Sequence, residues 1–326
     1  MLSILVFLLS AAISVYAAIK LSTYADIISK QTKLGGMLAG TLLLAVATSL
    51  PELTATGSAA VIGNADIAVG NGLGSIIFNF LVLFILDIFF RKRRLFLLVS
   101  DNHFHTGLLA LILCCIAAGS LYYQPSITFL GVGFTSMVIA GVYFVGIWLI
   151  SIKQNKEKQA EENPVSNSQA GERITKIAIS FIVFAFIIFV SGSLMSVSGD
   201  WMVDATGISA TAVGSLLIAA ATSLPDAVGV FIALRVANIN LAIGAILGSN
   251  LFNIFVVTIA DIFYRNGSVW ADAGERNIWT ALCGLLLTLG VMLLLKRDRT
   301  RNSFTYILPS LAAIFCYITF ILIIIY

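Results

Sequence analysis

The chain has 326 residues, of which 59% are hydrophobic and only 11% are charged, and its formal net charge is +3. Its mean hydropathy is +1.01. Soluble globular domains carry about a quarter charged residues, so this composition excludes that class and indicates a polytopic membrane protein. The four cysteines lie in apolar segments without metal-ligand spacing, and nothing else in the composition predicts a cofactor.

Ten apolar segments follow one another along the chain, and about 18 or more apolar residues are enough for a helix to cross the hydrocarbon core. No segment of about ten residues alternates as a strand of a membrane barrel would, so we predict an all-α polytopic membrane protein. The first segment lacks the basic start of a signal peptide and is interpreted as a span. The predicted spans are 2–19, 36–62, 67–90, 106–123, 126–152, 174–197, 209–235, 240–264, 277–295 and 304–325.

The longest polar stretch lies near the middle of the chain and is interpreted as a solvated linker, residues 153–173. It separates an N-terminal group of five spans, residues 1–152, from a C-terminal group of five, residues 174–326. The linker is too short to hold a folded regulatory domain.

The two halves repeat each other. Gly40–Arg91 aligns without a gap on Gly214–Arg265, with 24 identities in 52 positions. The repeat falls on the second and third spans of each half. Because each half has an odd number of spans, the two copies cross the membrane in opposite directions, which is the arrangement of an inverted repeat.

Positive charge predicts the orientation of the ten spans. Of the 19 Lys and Arg residues, 17 lie in the linker and in the loops on the same side of the membrane as the linker. The exceptions are Arg265 and Arg276. The positive-inside rule therefore predicts a cytoplasmic linker and both termini outside, most simply in a plasma (inner) membrane.

Each half places a proline beside a carboxylate within its second span. Pro51 precedes Glu52, and Pro225 precedes Asp226. A proline within a helix leaves a backbone carbonyl without its partner, and a buried carboxylate is costly in lipid. A threonine four residues before each carboxylate shares its helix face. Carboxylate, hydroxyl and carbonyl oxygens together suit hard cations such as Ca²⁺ and Na⁺.

The third span of each half adds small and polar residues. Ser75 and Asn79 are four residues apart, as are Ser249 and Asn253, so each pair shares one helix face. Glycines on the same spans allow close helix approach or a local break: Gly70, Gly74, Gly244 and Gly248. The two halves together can enclose a cation site near the membrane midplane.

The paired T-S-L-P-[E/D] and G-S-x-x-x-N segments, in a chain of ten spans, resemble the α-repeats of the calcium/cation antiporter superfamily, above all its prokaryotic-type sodium/calcium exchanger branch. The resemblance implies alternating access, with about three Na⁺ and one Ca²⁺ competing for overlapping positions. It also implies a set of cation ligands from side chains and backbone carbonyls. Carried over to this chain, these are Ala45, Thr48, Ser49, Glu52, Ser75, Asn79, Ala219, Thr222, Ser223, Asp226, Ser249 and Asn253.

The chain departs from that pattern in three ways. Ala47 and Ala221 stand where the family usually has glycine. Asp226 is one methylene shorter than the expected glutamate. Asn79 and Asn253 are both neutral, whereas one of these positions is often Asp in the family. The site charge is then −2, and coupling to H⁺ or K⁺, or transport of another divalent cation, stays open.

Two other classes of function fit the sequence less well. An intramembrane aspartyl protease needs two aspartates, often in a G-x-G-D motif, which the sequence lacks. A cation channel usually needs a ring of subunits, whereas an inverted pair within one chain favours alternating access. We therefore predict a transporter and not an enzyme, whose partners are inorganic cations and the lipid bilayer, with no nucleic acid and no obligate protein partner.

Two further carboxylates match across the repeats. Asp87 lies four residues before Arg91, and Asp261 lies four residues before Arg265. An ion pair at the end of a helix is the favoured interpretation of this spacing, and an ion site in a vestibule is the alternative.

Overall fold

A computed structural model describes residues 2–31, 47–100, 103–158, 171–297 and 302–325. Ten helices form its frame: α1 (Leu2–Gln31), α2 (Leu50–Val61), α3 (Ala65–Phe89), α4 (His103–Tyr123), α5 (Phe134–Lys158), α6 (Gly171–Thr206), α7 (Ala219–Arg235), α8 (Ile239–Phe263), α9 (Arg276–Leu295) and α10 (Ser303–Ile325).

The prediction of an all-α polytopic membrane protein is confirmed. Nine helices of the described residues are long and apolar enough to cross a membrane. The second predicted span, 36–62, is represented by residues 47 and 48 and by α2, and its earlier part lies outside the described residues. The one sheet in the described ranges is a two-residue antiparallel pair, β1 (Thr128–Phe129) and β2 (Val132–Gly133). That hairpin explains why α5 begins later than predicted.

The middle of the chain is more helical than the predicted linker implies. Helix α5 continues to Lys158, and α6 begins at Gly171. The predicted linker, 153–173, therefore overlaps the ends of both helices, and its residues 159–170 lie outside the described residues.

The starts of α3 and α8 are capped in the same way, as repeated sequence predicts. Asn64 accepts a hydrogen bond from the Ile67 amide at 2.9 Å, and Asn238 accepts one from the Leu241 amide at 3.0 Å. An asparagine at this position satisfies an amide that the first helical turn leaves unpaired. The two caps fix the register of the helices that carry Ser75 and Ser249.

The two prolines act differently, and the prediction that each lies in the interior of a helix is wrong for Pro51. The helix is interrupted at Ser49, and α2 restarts so that Pro51 lies in its first turn. Proline is tolerated there because the first amides of a helix have no intrahelical partner. Pro225 does lie inside α7. The irregular backbone of that span lies further upstream, in a π-helical segment, Val213–Ile218.

Glycines let α3 cross this π segment closely. A Cβ atom added at Gly74 would stand 2.4 Å from the Ser215 carbonyl oxygen, and one at Gly214 would stand 2.8 Å from the Ile67 carbonyl oxygen. A Cβ atom cannot approach a backbone oxygen this closely, so only glycine fits at these two positions. The close crossing brings the polar face of α3 against the second half of the chain.

Helices α1 and α6 pack on each other through a small hydrophobic cluster of their own. Ala17, Ala18 and Leu21 of α1 are fully buried together with Ile188 of α6. Tyr16 and Phe184 add an edge-to-face contact across the same pair. Most of the remaining buried side chains belong to a larger core that the other helices build.

The predicted ion pairs of Asp87 and Asp261 are wrong. Both carboxylates are fully buried. Asp87 accepts hydrogen bonds from Tyr306 Oη at 2.5 Å and Ser310 Oγ at 2.6 Å, both on α10. Asp261 accepts from the amides of Gly133 at 2.7 Å and Val269 at 2.6 Å. Burial explains the difference, because an arginine at the helix end stays in the aqueous layer.

These contacts tie the halves together in a reciprocal way. Asp87 links α3 of the first half to the last helix of the second half. Asp261 links α8 of the second half to Gly133, directly before the last helix of the first half. Exchange of equivalent partners is what two halves related by an inverted repeat produce, and the inverted repeat fits this fold.

Candidate cation site

The predicted site residues lie on α2, α3, α7 and α8 and on the turn before α2. Six of their side chains are fully buried: Glu52, Ser75, Asn79, Thr222, Ser223 and Asn253. Ser49 is also buried, whereas Thr48, Asp226 and Ser249 are half-buried. Ala219 is buried at the start of α7, and Ala45 lies outside the described residues.

The first contact between the halves joins the two T-S-L-P-[E/D] segments. Ser223 Oγ of α7 donates a hydrogen bond to Glu52 Oε1 of α2 at 3.0 Å. Glu52 reaches this position because it lies in the first turn of α2, immediately after the interruption at Ser49. A hydroxyl from one half therefore binds the carboxylate of the other.

The second contact between the halves joins α3 to α8. Asn79 Nδ2 donates to Asn250 Oδ1 at 2.9 Å and lies 3.3 Å from Ser249 Oγ. Ser249 Oγ in turn donates to Asp226 Oδ2 at 2.5 Å. The carboxylate of the second half is thus held by the serine of its own half, and the two carboxylates are held differently.

A third contact runs through Asn71, which is fully buried on α3. Asn71 Nδ2 donates to Thr56 Oγ1 at 2.8 Å and lies 3.5 Å from the Glu52 carbonyl oxygen. On its other side, Asn71 Oδ1 accepts from Thr222 Oγ1 at 3.3 Å. Asn71 therefore connects α2, α3 and α7 beside the carboxylates.

Several buried oxygen atoms at the site have no hydrogen-bond partner among the described residues. They are Glu52 Oε2, Ser75 Oγ, Asn79 Oδ1 and Asn253 Oδ1. An unpaired buried polar atom costs about 1–3 kcal/mol, and more when it is charged. Four such oxygens on three helices from both halves are the ligand chemistry that a hard cation requires.

The site carries two carboxylates, and no lysine or arginine of the described residues forms a salt bridge with either of them. Ser223, which binds Glu52, lies only three residues before Asp226 on α7, so both carboxylates lie beside the same part of that helix. Each carboxylate accepts a hydrogen bond from a serine hydroxyl, which is neutral. A divalent cation between them would bring the local charge from −2 to zero, which a low-dielectric interior strongly favours.

The structure adds residues that the repeat did not reveal. Asn71 and Asn250 are buried in the hydrogen-bond network, but their repeat equivalents are Ala245 and Ile76. A search for duplicated residues misses both. Helical spacing offers the signal that could have found the first, since Asn71 is four residues before Ser75 on the same face.

Not every predicted ligand joins the network. Asn253 is buried, but its carboxamide makes no hydrogen bond among the described residues. Ser49 forms no side-chain cap on α2, although its carbonyl accepts from the Leu53 amide at 3.0 Å. Direct hydrogen bonds join Glu52 to Ser223 and Asp226 to Ser249, and Asn79 joins this second pair through Ser249.

Comparison with known proteins gives a consistent result. A family model described as sodium/calcium exchanger protein matches residues 2–153 and 176–326. CaxA of Alkalimonas amylolytica, named as a candidate antiporter, is 27% identical over 281 residues, covering 85% of this chain and 86% of CaxA.

Two solved structures share the fold. The H⁺/Ca²⁺ exchanger CAX has a TM-score of 0.66 and 14% identity, with 98% of this chain and 87% of CAX covered. The sodium-calcium exchanger NCX_Mj has a TM-score of 0.59 and 18% identity, with 98% of this chain and 97% of NCX_Mj covered. At these identities the likeness concerns the fold alone.

Proposed function

The chain belongs to the sodium/calcium exchanger protein family and is a membrane-embedded cation antiporter rather than an enzyme, and we propose that it exchanges Ca²⁺ for Na⁺ by alternating access. The single observation that carries the proposal is the cross-half network at Glu52 and Asp226, with unpaired oxygens around it. A site built by two halves opens to one side of the membrane or the other as the halves move.

The proposed ligand set keeps all the residues predicted from sequence. The carboxylates of Glu52 and Asp226 supply the charge. Hydroxyls, carboxamide oxygens and the two alanine carbonyls complete the oxygen shell: Ala45, Thr48, Ser49, Ser75, Asn79, Ala219, Thr222, Ser223, Ser249 and Asn253. No resident cofactor takes part, because the cations are the substrates.

We further propose the arrangement in the membrane. Two five-helix halves, residues 1–152 and 174–326, are joined by a cytoplasmic linker, 153–173, with both termini outside the plasma (inner) membrane. The charge asymmetry supports this orientation. A single cysteine placed in the linker of a cysteine-free variant would react with an impermeant thiol reagent in inverted vesicles and not in intact cells.

Flux in proteoliposomes tests the exchange. Vesicles loaded with Na⁺ and diluted into choline medium are expected to accumulate ⁴⁵Ca²⁺, and vesicles without the Na⁺ gradient are not. Glu52→Gln and Asp226→Asn should each abolish uptake, while Asp204→Asn, an exposed carboxylate at the end of α6, should not. Uptake that persists in both site variants would refute the site. Ohmic single-channel currents would refute alternating access.

A proton-coupled exchange is the second candidate, and the neutral pair Asn79 and Asn253 favours it. With a site charge of −2, one Ca²⁺ or two protons leave the site neutral, whereas three Na⁺ would leave an excess positive charge in lipid. Coupling to H⁺ predicts Ca²⁺ uptake driven by a pH gradient in Na⁺-free medium. The same vesicles with K⁺ gradients test the remaining coupling ion.

A further inference from the structure

The site contains a polar pair that only the first half of the chain possesses. Asn71 of α3 and Thr56 of α2 are both fully buried and hydrogen-bonded at 2.8 Å. At the equivalent positions of the second half stand Ala245 and Val230, neither of which has a polar side chain. Both positions are polar in the first half and apolar in the second half, so we treat Asn71 and Thr56 as one unit.

The surroundings of Asn71 determine which way its carboxamide points. The Glu52 carbonyl, 3.5 Å away, can only accept, so the nitrogen of Asn71 must face it and Thr56. The carboxamide oxygen then faces Thr222, at 3.3 Å. Asn71 thus presents a pure hydrogen-bond acceptor to a threonine that we propose as a cation ligand.

The Thr222 hydroxyl has one proton and two acceptors for it. Its oxygen lies 3.3 Å from Asn71 Oδ1 and also 3.3 Å from the Ala219 carbonyl oxygen. When the hydroxyl donates to the Ala219 carbonyl, it uses a lone pair of that oxygen that a cation could otherwise bind. A hydroxyl that donates to Asn71 leaves the Ala219 carbonyl available and turns its own lone pairs away from Asn71.

We propose that Asn71 is a positioning residue that accepts the hydrogen bond of the Thr222 hydroxyl, so that Thr222 and the Ala219 carbonyl can both face a cation. Thr56 holds the carboxamide in the orientation that this requires. Because position 245 is alanine, the effect is confined to the half of the site built by α7. This inference rests on the proposed cation exchange.

Equilibrium binding of ⁴⁵Ca²⁺ to the purified, detergent-solubilised protein tests the role, with displacement by Na⁺ as a second measurement. Asn71→Ala is expected to raise the Kd for Ca²⁺ about tenfold, since one hydrogen bond orienting a ligand is lost. Thr56→Val, which copies Val230, should raise it about threefold. Asn71→Asp keeps an acceptor oxygen toward Thr222 but sets its second oxygen against the Glu52 carbonyl, so it should lose less Ca²⁺ affinity than Asn71→Ala.

Asn277→Ala is the matched control, because Asn277 is an equally buried asparagine on α9. Its carboxamide binds Asp66 and Thr211 and contacts neither of the two site carboxylates. It should leave the Kd unchanged. Thermal unfolding without Ca²⁺ or Na⁺ identifies any variant that is merely misfolded, and Thr56→Val then provides the test if Asn71→Ala does not fold.

Parent-like affinity in Asn71→Ala would overturn the inference, as would equal losses in Asn71→Asp and Asn71→Ala. An equal loss in Asn277→Ala would also overturn it. These outcomes leave the exchange itself intact, because the parent protein still binds Ca²⁺ and transports it. A parent protein that neither binds nor exchanges Ca²⁺ would instead overturn the proposed function, and this inference with it.

Discussion

The Ser223 hydroxyl of the second half donates a hydrogen bond to the Glu52 carboxylate of the first half at 3.0 Å. Ser49, the repeat equivalent of Ser223, does not hold Asp226 in the same way. Asp226 instead accepts from Ser249, the serine of its own half, at 2.5 Å. A side chain shorter by one methylene reaches the neighbouring helix of its own half instead. The two carboxylates therefore have different surroundings in a site whose backbone is built from repeats.

Loss of the Ser223 hydroxyl should weaken cation binding. Ser223→Ala removes a proposed ligand oxygen and the hydroxyl that donates to Glu52 Oε1. Hydrogen bonds to charged groups contribute about 1.5–3 kcal/mol, so we expect the Kd for Ca²⁺ to rise at least tenfold. Titration with ⁴⁵Ca²⁺ measures it.

Ser198→Ala is the matched control for that experiment. Ser198 is equally buried, but its hydroxyl donates to the Leu194 carbonyl of its own helix at 2.6 Å. The Kd of the Ser198→Ala protein for Ca²⁺ should equal that of the parent protein. A similar loss of affinity in both serine variants would show that a general packing defect, rather than the contact with Glu52, is responsible.

Carboxylate length should affect the two positions unequally. Glu52→Asp withdraws a fully buried carboxylate by about 1.5 Å, a large step when Ca–O distances are 2.3–2.6 Å. Asp226→Glu lengthens a side chain that is only half-buried. We expect Glu52→Asp to lose at least tenfold in Ca²⁺ affinity and Asp226→Glu to lose less, with Sr²⁺ and Mg²⁺ competition reporting the change in preferred ion. The reverse order would contradict this account.

The nine apolar helices of the described residues were predictable because their signals are local. Apolar length identifies a span, and Glu52 and Asp226 stand out as carboxylates in apolar surroundings. The interruption at Ser49 was not predictable from Pro51 alone, because proline fits both a kink and a first turn.

Contacts distant in sequence were not predictable. Asp87 has Arg91 four residues away, which made a local pair the simplest interpretation, but its partner Tyr306 is 219 residues away in sequence. Asn71 was missed for a different reason. The repeat equivalent is Ala245, and an argument from duplication sees only what both halves share.

Asp87 should stabilise the fold through its two hydroxyl donors. Asp87→Ala leaves Tyr306 and Ser310 without an acceptor in a buried place, and we expect a loss of about 3 kcal/mol. Tyr306→Phe removes one donor and should cost about half as much. Thermal unfolding of the purified protein in detergent, without Ca²⁺ or Na⁺, should show this order.

Asp272→Ala, at an exposed aspartate, is the control and should change the unfolding temperature little. Equal unfolding temperatures for Asp87→Ala and the control would contradict the role.

The crossing of α3 over the π segment should be the position least tolerant of added volume. Gly74→Ala would place a methyl group 2.4 Å from the Ser215 carbonyl oxygen, so the two backbones would have to separate. Gly57→Ala on α2 meets nothing within 4 Å and serves as the matched control. Alanine is favoured over glycine inside a helix by about 1 kcal/mol, so Gly57→Ala should hold or raise the unfolding temperature. Gly74→Ala should lower it and should also reduce ⁴⁵Ca²⁺ uptake, because Asn71 and Ser75 lie on the displaced helix. A Gly74→Ala protein with parent-like stability and uptake would show that the crossing can widen without disturbing the site.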